Sequence, residues 1–409
     1  MFTNFAAMIK TKLFLSNPDR VFEPCQGLLL HLYKVILDLS FEIPGMNKPI
    51  STVVLSYGMS GRVFHCPLIG VHPGFSLDAI VKRNNADPIP LYPKARILKS
   101  ADEAIHHRDV ELVIINVPNE FHFDFASKAL QAGKHVVVEK PFTVTSAEAT
   151  DLIRLAKKNN RVLSVFQNRR WDGDFLTVQK VIEEKQLGKI VEFESHYDRY
   201  RNYVAQNTWK EEQGPGSGIL YNLGSHMIDQ ALCLFGVPDF VDARLGIQRT
   251  GGKVDDFYDI RMEYSPLTPK GGISPMMVIL KSSYLVREPG PRYILHGENG
   301  SFVKFGLDPQ EQALAEGKIP GSDGWGCEPE SSWGKLNTDI NGGHYEGPLE
   351  TIPGNYLAFY DSVFNSIRNG AVPVVKPEES LMGINIIEAC TESSRLKKAI
   401  AIDQDITIG

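Results

Sequence analysis

The chain reads as an α/β protein: a doubly wound parallel sheet at the N-terminal end, followed by a C-terminal α+β domain with a large, mostly antiparallel open sheet. Three observations predict this. Between residues 50 and 166 short apolar runs alternate with helical segments, as βαβ units do. A turn, Ser56-Tyr57-Gly58-Met59-Ser60-Gly61, follows the first apolar run and opens the first helix. Beyond residue 190 the runs succeed one another with few helices between, which is the pattern of antiparallel strands.

Taken in order, Val53-Val54-Leu55 predicts a buried strand, 62–69 a helix, 75–81 a second strand and 112–117 a third clear one. A helix over 121–132 stops at Gly133, and the strand beginning at Val136 comes next. A helix over 146–159, with Thr145 or Ser146 as N-cap, leads to a strand over 162–166. With right-handed crossovers these units make a Rossmann domain over 46–170. A second domain, 171–375, begins with a helix over 174–186 and an alternating strand over 190–197. A polar, glycine-rich loop (202–218) and a helix over 220–235 follow, then strands at 240–248, 257–264, 276–284, 293–296 and 301–305. Segment 306–354 is rich in Gly and Pro and reads as an irregular surface excursion. Helices over 355–368 and 377–398 close the chain, the last lying in a C-terminal piece, 376–409, that returns onto the body. Residues 1–45 stand apart as an extension: disordered, a loosely attached helix, or a gene-start artefact ahead of Met46.

Composition narrows the function. With 409 residues, 43% hydrophobic and 22% charged, the chain can bury a large core without staples. A net charge of -6 offers no basic face, which argues against nucleic acid as a partner. The apolar run over 27–39 is broken by His31, Lys34 and Asp38 and is too short to span a bilayer, so no membrane partner is expected. Five scattered cysteines without C-x-x-C spacing argue against a disulfide framework and a metal site, and suit a cytoplasmic protein.

Three stretches carry chemistry. In the glycine turn, Ser56 occupies the position of the first glycine of G-x-G-x-x-G. Gly58 stands where backbone must approach a phosphate, and Gly61 where helix packs on strand. The amides of Met59 and Ser60 then face a pyrophosphate; the alternative is a structural turn. At the end of the second strand, Lys82 and Arg83 replace the acid that NAD requires, which predicts NADP over NAD; the alternative is two solvated loop charges. The stretch His135 to Pro141 places Glu139 and Lys140 at the carboxyl end of a buried strand, where open α/β sheets hold their chemistry, although an ordinary surface lysine can also follow a core strand. On the helix over 220–235, Asn222, His226 and Asp229 fall at i, i+4 and i+7 on one face, a setting for an oriented base or for a structural histidine.

These motifs, together with Pro118-Asn119-Glu120-Phe121-His122, Gln167 to Asp172, Phe193 to Tyr200 and Pro291 to Gly297, resemble the Gfo/Idh/MocA oxidoreductases over about 51–400, and within them the NADP-dependent scyllo-inositol 2-dehydrogenase group. The resemblance implies hydride transfer between NADP(H) and a secondary alcohol or ketone of a cyclic polyol or sugar, with scyllo-inositol and scyllo-inosose foremost. The alternatives are an aldose or other sugar dehydrogenase, or a catalytically silent NADP-binding regulator. It implies Lys140 as the group that stabilises the alkoxide and His226 as general base. Asn222 stands where the family usually carries Asp, which leaves Asp229 to orient His226. Pro118, Asn119 and His122 are expected to line the nicotinamide pocket. Asn168, Arg170 and Trp171, beside Arg169, are expected to meet cofactor or substrate at the domain junction, and Tyr197 and Arg199 to meet a polyol. A homodimer or homotetramer is implied.

Overall fold

The computed structural model describes residues 48–82, 87–206, 208–265, 275–340 and 342–404; the 1–45 extension and Arg83 lie outside the described residues. Contacts gather Pro49–Gly409 into one compact unit.

The first sheet has the order β3-β2-β1-β4-β5-β6, all parallel. Its strands are β1 (Ile50–Val54), β2 (Phe75–Val81), β3 (Arg96–Leu98), β4 (Leu112–Ile115), β5 (His135–Val138) and β6 (Leu163–Val165). β1 and β4 are buried throughout, as in a covered parallel sheet; β4 is wholly apolar, while β1 carries Ser51 and Thr52 among its apolar residues. The order reverses between β1 and β4, so the crevice at their carboxyl ends is the ligand-binding place of such a sheet. Helices α1 (Cys66–Val71), α2 (Ala101–His106), α3 (His122–Gln131) and α4 (Ser146–Lys158) make the crossovers. Thr145 caps α4 in a reciprocal box with Glu148, which satisfies two donors that the first turn would leave orphaned. The pair β3 and α2 was not expected: three residues, of which only Leu98 is buried, give no periodic signal.

After α5 (Gly173–Glu183), the second sheet runs β14-β13-β12-β11-β7-β10-β9-β8-β15. It comprises β7 (Ile190–His196), β8 (Phe240–Gly246), β9 (Phe257–Tyr264), β10 (Met276–Ser283), β11 (Tyr293–Gly297), β12 (Gly300–Lys304), β13 (Gly334–Ile340), β14 (Gly343–Leu349) and β15 (Ile400–Ala401). It is antiparallel apart from the parallel pair β7 and β10. Helix α6 (Ser225–Phe235) covers it, and α8 (Leu357–Asn369) and α9 (Pro377–Leu396) follow, with α9 packed on both β8 and α4.

Segment 306–354 departs from the irregular excursion expected of it. It holds a short helix, α7 (Gln310–Ala315), and the hairpin of β13 and β14. The period-two pattern of β13 was hidden because its buried face is built from Gly334, Leu336 and Thr338, only one of them strongly apolar. Pro348 is tolerated because β14 is the edge of the sheet. The start of the segment is sewn to the domain junction. Asp308 accepts from Gly173 N at 2.7 Å, and Gln310 donates to Trp171 O at 3.1 Å and accepts from Tyr356 N at 2.8 Å.

Candidate active site

The turn after β1 is built for close approach. A Cβ on Gly61 would stand 2.0 Å from Ser56 O, so only glycine lets the helix pack on the strand here. Ser56 takes the first-glycine position without a left-handed φ, so the substitution leaves no backbone strain there. Its Oγ accepts from Gly58 N at 3.2 Å. Met59 is exposed and Ser60 half-buried at the mouth of the turn. Gly61–His65 forms a wide π turn before α1. Asn116, just past β4, donates to Ser56 O at 2.8 Å and reaches Ser60 Oγ at 3.5 Å, while its own Oδ1 is buried without a protein partner. An orphaned acceptor beside a close-packed glycine turn fits a bound dinucleotide. At the end of β2, Lys82 Nζ donates to Asp87 O at 3.2 Å.

Beside this turn Glu139 is buried; its Oε1 lies 3.0 Å from His65 Nε2, and its Oε2 accepts from Lys140 N at 3.0 Å. His65 Nδ1 meets the Tyr360 hydroxyl at 2.6 Å. Burial pushes the Glu139 carboxyl up, but the His65 hydrogen bond and the charges of His65 and Lys140 outweigh it and hold it below its ordinary value. Lys140, joined to Pro141 by a cis peptide, sends its ammonium across to α6's entrance, where Nζ donates to Asn222 O at 2.7 Å. Burial, then the charge of Lys210, bring its pKa down to about 7.

Across the cleft, Leu220–Gly224 is a second π turn, so Asn222 is half-buried and turned toward Lys140 and the Tyr284 hydroxyl, while His226 and Asp229 are buried. Asp229 does not orient His226. Both of its oxygens are held by Arg170, at 2.8 and 2.7 Å, and Arg170 also reaches Glu379 at 2.8 Å. His226 Nδ1 is buried without a protein partner. Burial and then the cations Lys140, Arg169, Arg292 and Arg199 hold its pKa well below the ordinary imidazole value, which keeps it neutral.

The remaining candidates divide into struts and site walls. His122 is buried with both ring nitrogens on carbonyls, Pro141 O at 2.9 Å and Val117 O at 3.0 Å; it braces the loop behind Lys140 instead of facing a ligand. Asn119 donates to Gly216 O at 2.8 Å, tying the loop after β4, with Pro118, to the glycine-rich loop. Asn168 is buried in a 3-10 turn, Asn168–Trp171. Trp171 packs edge-on against Phe359, with ring centres 5.8 Å apart. Tyr197 is buried under three guanidinium groups, those of Arg292 at 4.8 Å, Arg169 at 5.1 Å and Arg199 at 5.4 Å. Sequence reasoning missed His65, Asn116, Arg292 and Glu311. Arg292 stood inside a quoted motif, but Glu311, ion-paired to Arg169, carried no signal of its own. Among the described residues no cluster of His, Cys, Asp or Glu is placed to hold a metal, and no helix is long and apolar enough to cross a membrane.

A close-packed glycine turn, and a strand-end lysine that reaches the start of the helix bearing a buried histidine, define a nucleotide-dependent oxidoreductase. Residues 50–167 match the oxidoreductase family NAD-binding Rossmann fold, and residues 179–402 its C-terminal alpha/beta domain; the chain belongs to the Gfo/Idh/MocA family and is an NAD(P)-dependent dehydrogenase of CH–OH donors. It is 40% identical to scyllo-inositol 2-dehydrogenase (NADP(+)) IolW of Bacillus subtilis over 87% of this chain and 96% of that protein. It is also 40% identical to an oxidoreductase of Schizosaccharomyces pombe, over 87% and 100%. Among solved structures, the oxidoreductase yvaA from Bacillus subtilis superposes with a TM-score of 0.82 at 37% identity, covering 88% of this chain and all of that one. An oxidoreductase from Bacteroides fragilis gives 0.78 at 43% identity, covering 87% and 100%.

Proposed function

We propose that the chain is an NADP(H)-dependent dehydrogenase of a cyclic polyol or sugar, with scyllo-inositol and scyllo-inosose as its foremost substrate pair. The observation that carries the reading is the 2.7 Å contact from Lys140 Nζ to Asn222 O, which joins the end of β5 to the helix that bears His226. The amides of Gly58, Met59, Ser60 and Gly61 would hold the pyrophosphate, and Lys82 stands where a 2′-phosphate is accommodated, with no acid before Asp87. When bound, the nicotinamide supplies the hydride acceptor for the alcohol and the hydride donor for the ketone. Both the similarity to the NADP-dependent Bacillus enzyme and the basic end of β2 support NADP over NAD.

The charges revise the division of labour between the two reacting side chains. A base works best with a pKa near the working pH, and Lys140, at about 7, meets that condition, whereas His226 is held neutral. In oxidation the uncharged Lys140 amine takes the hydroxyl proton as the carbon gives up its hydride; the ammonium so formed holds the carbonyl oxygen. In reduction the same ammonium steadies the developing alkoxide and returns the proton. His226, held neutral, hydrogen-bonds the substrate hydroxyl and fixes its direction. Asn222 contributes hydrogen bonds but no charge. Free buried thiols at Cys66 and Cys390 accord with a cytoplasmic setting, and a homodimer or homotetramer completes the reading.

The test is a spectrophotometric screen for NADPH and NADH formation with inositols, aldoses and their keto forms. NADPH formation with scyllo-inositol is expected. Turnover of aldoses alone would move the assignment to a sugar dehydrogenase, and NADPH binding without turnover of any of them would make the chain a silent binding protein.

A further inference from the structure

Segment 306–354 puts one acid into the cleft. Helix α7 packs against the π turn Gly61–His65, and Glu311, in its first turn, forms an ion pair with Arg169 Nη2. Arg169 is buried; its other terminal nitrogen holds Asp172 at 3.1 Å, and its guanidinium lies over the Tyr197 ring. Its charge bears on both reacting side chains. The groups around Lys140 are Glu139 on its own strand end, Lys210 from the loop over 202–218, Arg169 from the junction, Glu311 from α7 and His226 from α6. Two of these are acids, and Glu139 already serves His65 and the Lys140 amide. The cations whose charge bears on His226 are Lys140, Arg169, Arg292 and Arg199.

We propose that Glu311 is a positioning residue for the hydride-transfer centre: α7 carries its carboxylate to Arg169, where it offsets a guanidinium that bears on both Lys140 and His226. It thereby supplies a negative charge to a centre whose position 222 offers only an amide. Because α7 also rests on the π turn Gly61–His65 that follows the glycine turn, the charge balance of Lys140 is tied to the element beside the seat of the cofactor. The proposal rests on the dehydrogenase reading for its kinetic arm only.

The experiment has two readouts on the intact chain. The first is trace acetylation of Lys140 against pH, followed by mass spectrometry, which reports its titration whether or not a substrate is turned over. Wild type is expected to show a midpoint of about 7. Glu311→Gln, which keeps the shape and removes the charge, is expected to lower the midpoint by about half to one unit, because an unbalanced cation disfavours a second one nearby. Glu311→Asp is expected to keep the wild-type midpoint. The second readout is kcat/KM for alcohol oxidation, whose pH limb should move by the same amount. An unchanged Lys140 midpoint in Glu311→Gln would overturn the proposal. A shifted midpoint in a protein whose wild type turns over no alcohol would overturn the dehydrogenase reading and leave the role of Glu311 standing.

Discussion

The two walls of the cleft handle charge in opposite ways. On the Rossmann wall, Lys140 is depressed by burial and by Lys210, but Glu139 and Glu311 push back, and it stops at about 7. On the other wall, His226 is depressed by burial and then by four cations, while Asp229 is given wholly to Arg170. The difference teaches that one wall keeps a proton in play at physiological pH while the other keeps a fixed neutral ring. A histidine on a helix face with an acid one turn away is thus not sufficient to define a base. The neighbours of that acid decide.

Removing the titrating group should have the largest effect on this contrast. Lys140→Met is expected to lower kcat by about 10³-fold or more, since proton transfer and charge stabilisation are both lost, while the NADPH dissociation constant from fluorescence titration stays within a few fold. Next comes the Rossmann wall itself. With a Cβ 2.0 Å from Ser56 O, Gly61→Ala must displace the turn; it is expected to destabilise the fold by about 1–3 kcal/mol and to weaken NADPH binding at least as much as turnover. Third, His226→Ala is expected to cost about 10²-fold in kcat through lost orientation, yet to leave the pH limb near 7 in place. Disappearance of that limb in His226→Ala would return the proton to the histidine.

Asp229→Asn separates structure from chemistry on the second wall. It leaves the buried Arg170 guanidinium with Glu379 as its one carboxylate partner, so thermal or denaturant unfolding should show a loss of about 3 kcal/mol. The limb should not move, because Asp229 touches Arg170 and not His226. The smallest effect is expected at the cofactor's far end, where Lys82→Ala should reduce the ratio of kcat/KM for NADP over NAD by a few fold, in line with an exposed charge–phosphate contact.

Which parts of this site the sequence could disclose follows from how far each depends on tertiary approach. The His135–Val138 strand is a run of apolar residues on a buried sheet, and its period and its lysine are local facts. The glycine turn is likewise local: Ser56, Gly58 and Gly61 meet within one turn. Glu311 is different. It reaches Arg169 across 142 positions of chain, from a stretch whose Gly and Pro content conceals a helix and a hairpin. Asp229 misled because helical spacing gives a shared face but not the partner on the facing element, here Arg170. The π turn at Leu220–Gly224 added a rotation that a 3.6-residue period does not contain.

The central claim is that Lys140, not His226, carries the proton. It is tested most directly by kcat/KM against pH in both directions with the identified alcohol and ketone. If neutral Lys140 is the base, oxidation rises through a limb near 7 and reduction falls through the same limb. Oxidation that instead falls as pH passes through 7, or limbs that vanish in His226→Ala and persist in a residually active Lys140→Arg, would contradict it.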